Sequence, residues 1–221
     1  MKPPPDPTRN GTDVARGGAA HALGNLAAND NNREVIVALG AIAPLVELTR
    51  SGTAIGKGEA AGALLALSTS AAATVAIVEA GAVAPLLELT RGGTAAAREW
   101  AAGLLRDITD QRLECNQVAA VVAAGGIEPL VALVRSGTID AKAHAAVALG
   151  NLAHCNNDNQ VAIAAAGAIP LLVELARPMV RGGEYVVPME AEGMNYALIA
   201  LCHENAANTA AFETAMGVVP C

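Results

Sequence analysis

The stretch Gly40-Ala41-Ile42-Ala43-Pro44-Leu45-Val46-Glu47-Leu48-Thr49-Arg50-Ser51-Gly52-Thr53 returns, little altered, as Gly81 to Thr94 and again as Gly125 to Thr138. A fourth, shortened copy starts at Gly167-Ala168-Ile169, so the leading glycines stand 41, 44 and 42 residues apart. Self-similarity at a period of about 40 residues marks stacked helical repeats, in which each unit buries its apolar face only against its neighbours. Every copy carries a proline soon after its glycine, at Pro44, Pro85, Pro129 and Pro170, and then an apolar run. Glycine supplies the left-handed residue that ends one helix. Proline lacks only an N–H that a first helical turn leaves unpaired, so it opens the next.

A second marker lies at the pairs Gly11-Thr12, Gly52-Thr53, Gly93-Thr94 and Gly137-Thr138, where threonine reads as an N-cap that accepts orphan backbone N–H groups. Between the markers the apolar residues follow helical spacing, as in Ala19, Ala22, Leu23 and Leu26, or Ala145, Ala148, Leu149 and Leu152. Each unit therefore reads as three helices, the first complete set running near residues 31–39, 41–50 and 53–70. The predicted repeat array occupies 12–221, in units 12–30 (partial), 31–70, 71–110, 111–155, 156–204 and 205–221 (partial). Ahead of it, residues 1–11 form a proline-rich tail expected to be disordered. The distance from Gly167 to Gly217 stretches to 50 residues, and 178–192, which contains Arg181-Gly182-Gly183 and Pro188, reads as a loop insertion. Gly56, Gly58 and Gly62 fall inside one third helix, each costing up to about 1 kcal/mol against alanine, so packing must compensate there.

Composition points the same way. Hydrophobic residues make up 53% of the chain and aromatics only 2%, so the core is built of Ala, Leu, Val and Ile on closely spaced helices. With 14 Lys+Arg against 21 Asp+Glu the net charge is -7 and no block of five like charges occurs, which argues against a nucleic-acid partner. Uncharged stretches such as Gln160 to Val173 stop short of the roughly 18 to 20 apolar residues that cross a bilayer, so no membrane span is expected. Cys115, Cys155, Cys202 and Cys221 show no CxxC pairing, and the amino terminus lacks a secretory apolar run. Reduced thiols in a cytoplasmic or nuclear protein are the expectation.

These residues resemble the armadillo repeat family, whose units carry a glycine-alanine-isoleucine-proline turn and an alanine-leucine-glycine-asparagine-leucine helix. The second signature stands here as Ala22-Leu23-Gly24-Asn25-Leu26 and as Ala148-Leu149-Gly150-Asn151-Leu152. The resemblance spans roughly Thr12 to Pro220. It implies an all-α fold, a right-handed α-α superhelix (armadillo-type solenoid) of about four to five three-helix repeats. The chain opens inside a third-helix pattern and closes at Gly217-Val218-Val219-Pro220-Cys221, where another second helix is due, as expected of a segment of a longer array. Uncapped ends of that kind are surfaces for self-association.

The resemblance also implies a concave groove lined by the third helices, with an asparagine on each that hydrogen-bonds an extended peptide's backbone. The matching positions are Asn25, Ala66, Asp107, Asn151 and Ala200. A carboxamide both donates and accepts, whereas alanine does neither and an ionised aspartate only accepts, so the ladder is incomplete. Importin-α-like transport adaptors add a tryptophan four residues earlier. Here those places hold His21, Gly62, Gly103, Val147 and Tyr196, which disfavours a transport role. The single tryptophan, Trp100, lies seven residues before Asp107, at a position shared with Gly18, Glu59, His144 and Gly193. Asn25, Trp100, Asp107, His144 and Asn151 are the predicted groove residues. The alternative reading has the asparagines tying neighbouring helices together and Trp100 in the core.

Arg50, Arg91, Arg135 and Arg177 recur at one second-helix position, with Glu47, Glu88 and Glu174 three residues ahead in three units, and read as a solvated row. His154-Cys155 and Cys202-His203 lack the converging ligands of a zinc site or the base of a thiol nucleophile. No Walker loop, GxSxG elbow or HExxH helix is present. No catalytic residue, metal or cofactor is therefore assigned. The resulting expectation is a non-enzymatic scaffold that binds a partner protein's peptide or helix along the groove. The alternatives are a substrate-recognition or tethering segment of a larger protein, U-box-ligase-like or vacuole-tether-like, and, ranked lower, an importin-α-like adaptor.

Overall fold

The structure, a computed structural model, describes residues 7–110, 115–154, 156–176, 179–181, 184–186 and 191–217. The chain divides into two compact units, Met1–Ile108 and Thr109–Cys221. The first holds α1 (Pro7–Leu26), α2 (Asp30–Ala38), α3 (Ile42–Ser51), α4 (Ala54–Leu67), α5 (Ala71–Glu79), α6 (Val83–Gly92) and α7 (Ala95–Ile108). The second holds α8 (Cys115–Ala123), α9 (Ile127–Ser136), α10 (Ile139–Ala153), α11 (Asn157–Ala165), α12 (Ala168–Ala176), a hairpin of β1 (Met179–Arg181) and β2 (Glu184–Val186), then α13 (Ala191–Cys202) and α14 (Ala206–Met216). The fold is all-α and of the armadillo type. α1, α4, α7, α10 and α13 are its third helices.

The glycine marker does what its chemistry predicts. Gly40, Gly81, Gly125, Gly167 and Gly217 all have φ between 72 and 82°, the left-handed region where a side chain is strained. At Gly40 the amide bonds to Val37 O at 2.9 Å and that of Ala41 to Ile36 O at 3.3 Å, a paired closure repeated at Gly81 and Gly125. The proline then sits in the first turn, and the first i to i−4 bond comes from the residue after it: Leu45 to Ala41 at 3.2 Å, Leu86 to Ala82 at 3.1 Å and Leu130 to Gly126 at 3.2 Å. The corner between α5 and α6 turns the chain by 85°, so apolar stretches that are long in sequence are short in space. No single helix among the described residues is long and apolar enough to cross a membrane.

Thr53 and Thr138 cap their helices through Gly56 N–H (3.1 Å) and Ala141 N–H (3.2 Å), and Thr94 accepts from Ala97 N–H at 3.2 Å. Gly11-Thr12 departs from this pattern. α1 starts at Pro7, a residue well suited to a first helical position, so the pair lies inside the helix and not at its start. Residues 7–11, read as disordered tail, are thus helical, and 1–6 lie outside the described residues. The predicted loop insertion carries an antiparallel pairing in which Val180 faces Tyr185, and its last residues, Ala191 and Glu192, already belong to α13. Valine and tyrosine favour extended backbone, which accounts for strands within a stretch read as loop. Residues 177–178, 182–183 and 187–190 lie outside the described residues.

Polar side chains close the remaining helix ends. Asn32, Asn159 and Asn208 donate to the last-turn carbonyls of Leu26 (3.1 Å), Leu152 (2.8 Å) and Leu201 (2.8 Å). Where the equivalent residue is Ala73, the neighbouring Thr74 hydroxyl donates to Ser68 O at 2.9 Å instead. One member of the arginine row is more than solvated surface. Arg50 lies 3.7 Å from Glu47, but its guanidinium also donates to Ala80 O at 3.3 Å and Gly81 O at 2.9 Å, placing positive charge at the C-terminal end of α5 in the next repeat.

In the first unit Gly56, Ala60, Ala63 and Leu67 of α4, and Ala97, Ala101, Leu104 and Ile108 of α7, are buried. The matching stripe on α1, Ala15, Ala19, Ala22 and Leu26, is exposed. One substitution at two equivalent places separates these environments. Ala63→Asp is expected to cost roughly 3 kcal/mol or more, because it buries an unpaired carboxylate, whereas Ala22→Asp should stay within about 0.5 kcal/mol. Urea unfolding of the two variants beside the parent protein checks this, and equal losses would contradict the packing described.

Candidate functional site

Third helices present one residue per turn along a shared stripe. In the first unit this gives Val14, Gly18, His21 and Asn25 on α1, then Ile55, Glu59, Gly62 and Ala66 on α4, then Ala96, Trp100, Gly103 and Asp107 on α7. The glycines expected to soften α4 are consumed by its neighbours. A Cβ on Gly62 would fall 3.2 to 3.4 Å from three carbons of the Trp100 ring, and one on Gly58 would meet Ala97 Cβ at 3.2 Å. On the other side a Cβ on Gly17 would reach Gly56 Cα at 3.3 Å. Trp100 is half-buried, its indole laid on the bare backbone of the adjacent helix, so it is both packing and surface.

The polar members of the stripe differ in availability. Asn25 is exposed, and its carboxamide has no hydrogen-bond partner among the described residues. His21 Nδ1 lies 2.8 Å from Glu59 Oε2, joining α1 to α4 across the stripe. Asp107, expected to accept from a ligand, is committed inside the protein. It accepts from Ser68 Oγ at 2.7 Å and from Arg106 Nε at 2.9 Å and Nη2 at 2.7 Å. Ser68 is the C-cap of α4, so this carboxylate holds α7 to the end of its neighbour. Beside His21 and Glu59 a cavity of about 430 Å³ opens between α1 and α4.

The second unit carries His144 and Asn151 on α10. His144 is half-buried. Asn151 is buried, donates to Thr109 Oγ1 at 3.3 Å and accepts from the Tyr196 hydroxyl of α13 at 3.0 Å. Of the two readings of Asn151, groove contact and a tie between helices, these bonds correspond to the second, with the Tyr196 hydroxyl donating to its oxygen. Tyr196 occupies a notch at Gly150, where a Cβ would lie 2.6 Å from the ring. In the sequence Tyr196 reads only as a place where a tryptophan is missing. The glycine 46 residues before it was the available signal. The five predicted residues are thus divided between the units: Asn25, Trp100 and Asp107 in the first, His144 and Asn151 in the second.

Gln160 and Asn205 were not singled out by sequence and prove to be interior fasteners. Gln160 Nε2 donates to Ala200 O at 3.0 Å, and Asn205 Nδ2 to Asn157 Oδ1 at 3.0 Å. Cys202 is half-buried. Burial pushes its thiol up from the ordinary value, and a hydrogen bond with Thr209 partly offsets this. His154 and His203 are exposed, and Cys155 lies outside the described residues. Among the described residues no three His, Cys, Asp or Glu side chains are grouped to hold a metal ion.

A family model described as an Armadillo/beta-catenin-like repeat matches residues 115–154, the span of α8 to α10. Comparison with the curated proteins finds no match. Among solved structures, an engineered protein from the Northeast Structural Genomics Consortium is similar, with a TM-score of 0.77 at 26% identity over 92% of this chain and 81% of that one. Residues 115–154 thus match the armadillo repeat, and the fold is of the armadillo type. Computationally designed armadillo repeat proteins for modular peptide recognition match at a TM-score of 0.78 and 22% identity, over 92% and 82% of the two chains. A designed armadillo repeat protein in complex with the peptide (KR)4 matches at 0.74 and 22%, over 91% and 81%. At 22% identity these two likenesses establish the fold.

Two outcomes test this geometry. Gly62→Leu should displace the only indole, shifting its emission to longer wavelength and lowering stability by about 1 to 3 kcal/mol, as overpacking does. An unchanged emission maximum would mean that Trp100 does not rest on Gly62. Cys202, with its thiolate disfavoured at neutral pH, should react with iodoacetamide more slowly in the native protein than in urea. Mass spectrometry of the Cys202 peptide reads the rate, and equal rates would count against the burial.

Proposed function

We propose that this protein is a non-enzymatic scaffold that binds an extended segment of a partner protein along the face made by its third helices. One observation carries the reading. On that face of the first unit Val14 and Ile55 are 71% and 73% exposed, flanking a cavity, while Asn25 offers an unpaired carboxamide about one turn beyond His21. Exposed apolar side chains beside a polar group that can both donate and accept suit an extended peptide, whose backbone alternates N–H and C=O. The complex of a designed armadillo repeat protein with the peptide (KR)4 supports the same use of this fold. Trp100 contributes the exposed part of its ring. Asp107 serves it indirectly, by fixing α7 to the end of α4.

Selection of a displayed peptide library on the purified chain tests this, beside two variants of unchanged helicity. Asn25→Arg with Ala66→Arg and Ala96→Arg adds bulk and charge to the third-helix face, and Ala19→Arg with Ala22→Arg does so on the outer side of α1. Peptides should enrich on the parent and on the outer-side variant, and be lost from the third-helix variant. Enrichment that survives the third-helix changes would place binding elsewhere.

A further inference from the structure

The protein shows twice how a ring is seated between its third helices. Trp100 of α7 lies on the glycine backbone of α4 at Gly62, and Tyr196 of α13 lies on Gly150 of α10 with its hydroxyl donating to Asn151 Oδ1. In both cases glycine removes the Cβ that would hold the ring off the helix, and the ring gains a flat apolar floor.

The seam between α1 and α4 is likewise lined by glycine and has no ring of its own, but its glycines stand at other places. Counting back 41 residues, Gly58 and Gly62 become Gly17 and His21, and Trp100 becomes Glu59. Glu59 is too short to cover the floor, and its carboxylate is turned to His21 at 2.8 Å. What remains is the cavity of about 430 Å³, with Gly17, Gly18 and Gly56 below, Val14 and Ile55 at the sides, and Glu59 at its edge. Its floor is firm at Gly17, where α1 and α4 approach to backbone contact, and open at Gly18, where an added Cβ would meet nothing within 4 Å. A volume of this size lies within the range of small-ligand clefts, roughly 300 to 1,000 Å³, and exceeds the needs of an aliphatic side chain.

The geometry points to this cavity as a seat for a tryptophan or tyrosine side chain of the bound partner. The ring lies on the backbone of Gly17, Gly18 and Gly56, as Trp100 lies on Gly62, and its N–H or O–H donates to the Glu59 carboxylate as Tyr196 donates to Asn151. A carboxylate at the edge of an apolar slot favours those two residues over phenylalanine, which has no proton to offer. The inference rests on the third-helix face being the binding surface, and it names what the partner must carry.

The full chain, labelled with nitrogen-15, is titrated with N-acetyltryptophanamide and in parallel with N-acetyllysinamide. Saturable shifts of the Gly17, Gly18 and Gly56 amides are expected with the first and not with the second. Gly18→Leu fills the cavity from a position with room for it and with a better helix former, so folding and melting temperature should hold while binding weakens by about tenfold or more. Non-saturating shifts, equal response to the lysine analogue, or undiminished binding by Gly18→Leu would each overturn the seat. Library peptides that are lost from the arginine-bearing third-helix variant yet keep binding Gly18→Leu would retain the scaffold reading and remove the aromatic seat. Saturable seating of the tryptophan analogue with no peptide enriched would do the reverse.

Discussion

The constraint on which the rest of the structure depends is the closing of helix ends. A chain that turns three sharp corners in about 40 residues leaves up to four N–H and four C=O groups unpaired at every helix terminus, and those near the interior cannot all turn to water. The repeat meets this with a fixed set of devices. A left-handed glycine closes the first helix, a proline takes the place in the next helix where no donor is needed, and a threonine caps the third. Asparagine or threonine from the following repeat then reaches back to the last carbonyls of that third helix. The last device, like Arg50 on the carbonyl of Gly81, joins one repeat to the next, so satisfying the backbone also sets the order of stacking.

With the ends closed, alanine and glycine let the third helices approach closely. The α1–α4 and α4–α7 seams are narrow because Gly17, Gly56, Gly58 and Ala97 bring almost no side chain to them. The few aromatic rings can then be spent on glycine-floored seats, as by Trp100 and Tyr196, where they cover backbone that alanine would leave bare. This arrangement offsets the poor helix propensity of glycine with ring contact area, and it explains how α4 stays continuous through Gly56, Gly58 and Gly62.

The same economy shapes the candidate site. Along the stripe the outward residues are drawn into interhelix fastening to different degrees: Asn25 not at all, His21 and Glu59 with each other, Asp107 and Asn151 with partners on adjacent elements. A ladder of asparagines reads as uniform in sequence and is graded in space, because each position's freedom depends on what the neighbouring repeat happens to present. Asn151 lost its freedom to Tyr196, whereas at Asn25 no described side chain reaches the amide.

The amino-acid sequence by itself determined the period, the three helices of each repeat and most of their boundaries, since these follow from local chemistry: glycine's access to positive φ, proline's missing donor, threonine's short hydroxyl and the spacing of apolar residues. Its local logic failed where a marker lacked its usual surroundings, as at Gly11-Thr12, which continues a helix begun at Pro7. Only the tertiary structure decided which side chains remain available. That α4's glycines receive the Trp100 ring, that Asp107 is taken by Ser68 and Arg106, and that the α1–α4 seam keeps a cavity are outcomes of residues about 40 positions apart meeting across a seam. Such meetings depend on the exact neighbour at each repeat, which the local pattern of either one does not specify by itself.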